Sequence, residues 1–154
     1  MRVRFLLCSM VLMLALAASA DMQATAQATH SEVLAKSLTW TEPDIPGFAK
    51  GLKLAGVNGD PNAAGQPYTI RLKFPAGYVF PAHYHPNAEN LTVLSGTFLL
   101  GHGEKADDAS MKTYAPGDFL YIPGKMPHYG KVRGETVVQL HGVGPFEIIL
   151  VDKK

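Results

Sequence analysis

Two histidines separated by a single residue, with a glutamate four positions after the second, occupy the stretch PAHYHPNAEN at 81–90. His83, His85 and Glu89 are residue types that ligate divalent metals. Whether they act together depends on the backbone between them. On a helix, residues two apart point to nearly opposite sides; on a strand they share a face. In an extended chain His83 and His85 project together, with Tyr84 turned away, and both imidazoles can approach one ion at about 2.0–2.1 Å. Pro86 and Asn87 then bend the chain, so that Glu89 returns toward the same space from the next strand. A carboxylate with imidazoles suits a divalent first-row metal. Alone, His-x-His is weak evidence, because strand histidines at that spacing are common on protein surfaces.

The elements that would position these residues read as strands. PYTIRLKF (67–74) alternates cleanly, with Tyr68, Ile70, Leu72 and Phe74 on one face and Thr69, Arg71 and Lys73 on the other. LTVLSGTFLL, DFLYIP, TVVQLH and FEIILV are further short β-rich runs bounded by turn residues. From Leu38 onward no amphipathic helix is apparent, and 15 Gly and 11 Pro supply frequent turns. The expectation is a single all-β sandwich or barrel over residues 38–154. DPNAAGQP (60–67) and GEKADDAS (103–110) are the best loop candidates. The glycosylation-like NLT at 90–92 falls within a strand and is read as chance.

The first 20 residues are of another kind. Arg2 and Arg4 precede an apolar run over 5–18, and Ala18-Ser19-Ala20 closes it, the layout of a secretory signal peptide. The run is short for a bilayer span of about 20 residues, so no stable membrane segment is expected after processing. Residues 21–37 read as a leader, with one helical turn in SEVLAKSL. Without Arg2 and Arg4, Lys+Arg falls from 14 to 12 against 13 Asp+Glu, a net charge near −1. That balance, without a basic run, argues against nucleic acid as partner. Cys8 is the only cysteine and lies in the signal segment, so a metal site would use nitrogen and oxygen ligands.

The wider spacing carries a resemblance. Gly77, five residues, His83-x-His85, three residues, Glu89, six residues and Gly96 match the first cupin motif at every defined position. GDFLYIPGKMPHYGKV (117–132) is similar to the second motif, with Gly117, Pro123 and His128 in place. Lys125 stands where that motif has glycine, with Gly124 one residue earlier, and Val132 replaces its final asparagine. The chain thus resembles a single-domain cupin over about residues 38–151, with a less specific likeness to the cupin-like domain of zinc-dependent anti-sigma factors. The resemblance implies a double-stranded β-helix, a jelly-roll-like barrel of two antiparallel sheets. It also implies a metal held by His83, His85, Glu89 and His128, with one or two coordination positions open. Iron, manganese or nickel is favoured, with zinc or copper as alternatives.

Gln139 and His141 share a strand face; if that face is inward, Gln139 could support the metal ligands and His141 could serve as a catalytic base. If it is outward and the inner wall is apolar, a binding role gains over a catalytic one. Tyr121 is a candidate pocket residue, Tyr129 an aromatic packing residue and His102 a surface residue. His30 belongs to the leader. The functional expectation is a secreted or periplasmic mononuclear metal cupin acting on a small polar organic molecule, with oxygenase chemistry preferred. A non-catalytic metal or small-ligand binding or sensing module is the alternative. Pairing of edge strands into a homodimer is expected, since an uncovered edge is a liability.

Overall fold

A computed structural model describes residues 30–151; the signal segment, leader residues 21–29 and residues 152–154 lie outside the described residues. From Glu32 onward the described chain forms one compact unit. Leu34 leads into a single 3₁₀ turn at Ala35–Ser37, where one helical turn is expected. Eight strands follow: β1 (Lys53–Asn58), β2 (Pro67–Phe74), β3 (Val79–Tyr84), β4 (Glu89–His102), β5 (Lys112–Tyr114), β6 (Phe119–Ile122), β7 (His128–Val143) and β8 (Ile149–Leu150). Among the described residues no helix is long and apolar enough to cross a membrane. The fold is all-β, as read from the turn-punctuated apolar runs.

Two long strands build the barrel. The second half of β7 lies between β2 and β4, with Leu140 opposite both Ile70 and Leu91. Its first half lies between β3 and β4, with His128 opposite both His83 and His102. β4 likewise pairs with β6 through Glu89–Thr92 and with β5 through Phe98–Leu100. Each long strand therefore serves one wall and then the other, and every pairing is antiparallel. The two expected walls are thereby hydrogen-bonded into one continuous sheet.

The bend of β4 falls at register shifts around Leu94 to Gly96. Gly96 has φ +80°, and a Cβ there would strike Thr136 and the Glu135 carbonyl on β7. The last glycine of the first motif is thus needed twice, for a left-handed backbone and for close strand approach. Thr136, fully buried, accepts a hydrogen bond from the Thr97 N–H at 3.1 Å and fastens the corner. Inside, β2 delivers Tyr68, Ile70, Leu72 and Phe74 to the core as its alternation requires. Phe74, Phe80 and Phe98 pack as an aromatic cluster with centroids 5.6–6.0 Å apart. Val132, in place of the motif's asparagine, is a buried core residue.

The second-motif turn differs from expectation. The sequence suggests Gly124 as the left-handed residue in place of the missing glycine, yet Lys125 itself adopts φ +63°. Gly124 serves a separate need: a Cβ there would lie 2.6 Å from the Pro86 carbonyl oxygen. The Lys125 N–H donates to the His85 carbonyl at 2.7 Å, so this turn is tied to the chain beside a candidate ligand. Left-handed backbone costs a β-carbon-bearing residue about 1–2 kcal/mol. Lys125→Gly should therefore stabilise the protein by about 1 kcal/mol, whereas Gly124→Ala should destabilise it by about 1–3 kcal/mol. Urea midpoints in the opposite order would show that the turn has been misassigned.

Candidate metal centre

The strand register brings the histidines together. His83 on β3 faces His128 on β7 across the ladder, with ring centroids 4.3 Å apart. His85 follows β3 by one residue, its ring 5.0 Å from that of His83 and 5.3 Å from that of His128. One ring nitrogen from each histidine lies within 4.8 Å of the other two, so the three could hold a metal ion. Glu89 is the first residue of β4. Its Oε1 lies 3.3 Å from His85 Nε2 and its Oε2 3.8 Å from His128 Nε2. All four side chains are buried, Glu89 at 4 % exposure.

Backbone carbonyls decide which nitrogen of each ring is free. His83 Nδ1 is 2.8 Å from the Pro81 carbonyl, His85 Nδ1 2.6 Å from that of Glu147, and His128 Nδ1 3.0 Å from that of Met126. A carbonyl only accepts, so each Nδ1 must carry the proton. In the neutral rings each Nε2 then carries a lone pair. Burial, reinforced by the neighbouring His128, depresses His83 to about 3 and His85 to about 4; burial also lowers His128. All three are neutral at pH 7, the form that ligates metal.

Glu89 completes the fit. Burial pushes its carboxyl up to about 8, and its Oε1 has no hydrogen-bond partner among the described residues. That orphaned oxygen sits opposite the Nε2 lone pair of His85, acceptor against acceptor. Such a pair needs a positive species between its members, either a proton or a metal ion. Three imidazole nitrogens and one carboxylate suit a divalent first-row ion, and four protein donors leave positions open on an ion that prefers more.

The space beside these groups is a cavity of about 50 Å³. Its walls come from strand residues such as Phe80, Leu100 and Leu140, and from two segments outside the strands. The first carries Ile45 and Phe48; the second carries Phe146 and Ile148. Phe48 meets His83 edge-on at 5.2 Å, and Phe146 stacks on His85 at 5.1 Å with 16° between ring planes. Nothing in the spacing around DIPGF or GPFEI marks these aromatics as pocket residues; chain closure over the barrel mouth puts them there.

The other candidates lie elsewhere. Gln139 and His141 alternate with the buried Val138 and Leu140 and do not line the cavity. Gln139 accepts a hydrogen bond from Arg71 Nε at 3.1 Å. Tyr121 is 60 % exposed on β6 and does not line the cavity either. His102 is exposed although it lies opposite His128 in register. Tyr129 is buried and donates from its hydroxyl to the Asp107 carbonyl, packing the 103–110 loop onto the barrel.

Residues 70–144 match the family model described as Cupin domain. No curated protein matches the chain. Many solved structures do. The polyketide cyclase RemF from Streptomyces resistomycificus aligns at 18 % identity and TM-score 0.67, covering 82 % of this chain and 88 % of its own. An RmlC-like cupin from Shewanella frigidimarina aligns at 16 % identity and TM-score 0.56, covering 75 % and 91 %. The DMSP lyase DddQ from Ruegeria pomeroyi aligns at 17 % identity and TM-score 0.60, covering 77 % and 64 %. Identities this low establish the shared fold and leave the activity to be argued from the site.

Proposed function

The chain belongs to the cupin superfamily, and from that premise we propose that it is a mononuclear metalloenzyme acting on a small molecule, with oxygenase chemistry preferred. His83, His85, Glu89 and His128 hold the metal in this reading. The observation that carries it is the unpartnered Glu89 Oε1 facing an imidazole lone pair beside an apolar cavity wall. A bound divalent ion would supply Lewis-acid or redox chemistry at the positions the four ligands leave open. The protein's own part is to hold three neutral imidazoles by their Nδ1 protons and to offset one charge through Glu89. Its apolar wall keeps bulk water away and suits an apolar gas such as dioxygen. Similarity to a cyclase and a lyase, both named as enzymes, supports the enzymatic side of the reading.

The test is elemental analysis of protein purified without a metal-affinity tag. Near-stoichiometric iron, manganese or nickel is the expected result; absence of metal even after reconstitution would sink the reading. One observation favours a second reading, a metal or small-ligand binding or sensing module. Of the described residues lining the cavity, only the four ligands titrate, so none of the others there is an acid or base. Stoichiometric zinc without turnover would support that alternative. Export to the periplasm or medium belongs to the proposal too, supported by the Arg2, Arg4 and Ala18-Ser19-Ala20 layout. So does a homodimer, supported by β6, which among the described residues pairs only with β4 and displays Phe119 and Tyr121.

A further inference from the structure

The sequence leads one to expect a polar substrate, but the chemistry of the cavity wall points elsewhere. Apart from the four metal-site residues, every side chain lining it is aliphatic or aromatic. Among the described residues no hydroxyl, amide, guanidinium or ammonium group lines it. The ring nitrogens that could have donated are already committed, since each Nδ1 is held by a backbone carbonyl. A second polar group on a ligand would therefore lose its water and gain no partner.

The charges agree. Among the described residues lining the cavity Glu89 is the only carboxylate, so a divalent ion held there retains one net positive charge. One anionic donor atom neutralises it; a further carboxylate would be a buried, unpaired charge. Size is limited as well. About 50 Å³ offers room for roughly three to five water-sized groups. Phe48 and Phe146, packed on the rings of His83 and His85, bound that space.

We infer that this site takes a small, predominantly apolar ligand presenting a single donor atom to the metal, and that it discriminates against ligands carrying a second charged group. The inference rests on the metal reading above and narrows it to a substrate class. Phe48 and Phe146 are the specificity-determining residues it names, because they line the cavity where they pack on the rings of His83 and His85.

Two thiols with the same donor atom separate the possibilities. The full chain is loaded with Co(II), whose visible bands report the ligand field. It is then titrated with 1-propanethiol and with 3-mercaptopropionate, and cobalt content is checked after each titration. 1-Propanethiol should produce a sulfur-to-cobalt band and bind more tightly by about 100-fold, the cost of placing an unpaired carboxylate in an apolar wall. Equal or tighter binding of 3-mercaptopropionate would overturn the inference while leaving the metal site standing. Failure of either thiol to alter the spectrum of cobalt-loaded protein would overturn it too. Protein that takes up no Co(II) would instead defeat the metal reading, and the inference with it.

Discussion

Replacing His83 or His128 with alanine is expected to lower metal affinity by about 100-fold or more, leaving purified protein with little bound metal. Each substitution removes one of the three neutral Nε2 donors of the buried cluster. Each also strands a backbone carbonyl, that of Pro81 or Met126, which now receives an imidazole proton. His102→Ala is the informative control. His102 lies opposite His128 on the neighbouring strand, yet its side chain is exposed. Its loss should leave metal content near that of the unaltered protein. Elemental analysis of the three variants, with circular dichroism to verify folding, decides the matter. Equal metal in all three would show that the histidine cluster is not the metal site.

The second large effect concerns stability and pH in the metal-free protein. Glu89 has a folded value of about 8 against an ordinary 4.5, so the native state holds its proton more tightly. Its contribution to stability is complete below pH 4.5 and is lost as pH rises toward 8. The histidines run the other way. With His83 at about 3 and His85 at about 4 against an ordinary 6.5, stability is complete above pH 6.5 and falls as pH drops toward those values. His128, also lowered, adds to the acid side.

Each group contributes a slope of about 1.4 kcal/mol per pH unit within its window. Between pH 4.5 and 6.5 the histidines outweigh the single glutamate; above 6.5 the glutamate acts alone. Metal-free protein should therefore be most stable near pH 6.5 and lose on the order of 2 kcal/mol by pH 8. Glu89→Gln should abolish that alkaline loss, since an amide can donate to His85 Nε2 without ionising, and it should also weaken metal binding. Saturating metal should abolish the loss in the unaltered protein by occupying the ionised carboxylate. Urea unfolding at pH 5.5, 6.5 and 8 measures all three. Metal-free protein more stable at pH 8 than at 6.5 would contradict the burial of Glu89 as an isolated acid.

Much of this site could be read in the chain itself. Alternation of residue types along 67–74 fixes which side of β2 is buried, because side chains on a strand alternate faces and apolar ones leave water. The same period of two puts His83 and His85 on one side. The motif spacings carry Gly96 and His128 for physical reasons that the fold makes visible. Gly96 is a corner where no Cβ fits against β7, and His128 is the residue that antiparallel register sets opposite His83.

What the chain could not express is everything that depends on which distant atoms meet. Alternation along TVVQLH shows that Gln139 and His141 share a face, but a strand has two faces and the pattern is symmetric between them. Only the pairing of β7 with β2 and β4 buries Val138 and Leu140 and turns the other pair away. Lys125 could not be seen to take the left-handed backbone, because the contact that demands glycine at 124 comes from Pro86 in another part of the chain. Phe48 and Phe146 lie nearly a hundred residues apart and become neighbours of the histidines only through closure of the barrel mouth. Local residue types thus determined the strands and the ligand chemistry, because side-chain direction and metal affinity are properties of a residue and its near neighbours. The tertiary structure alone decided the protonated nitrogen of each ring, the isolation of Glu89 and the apolar character of the cavity, because each depends on long-range contacts.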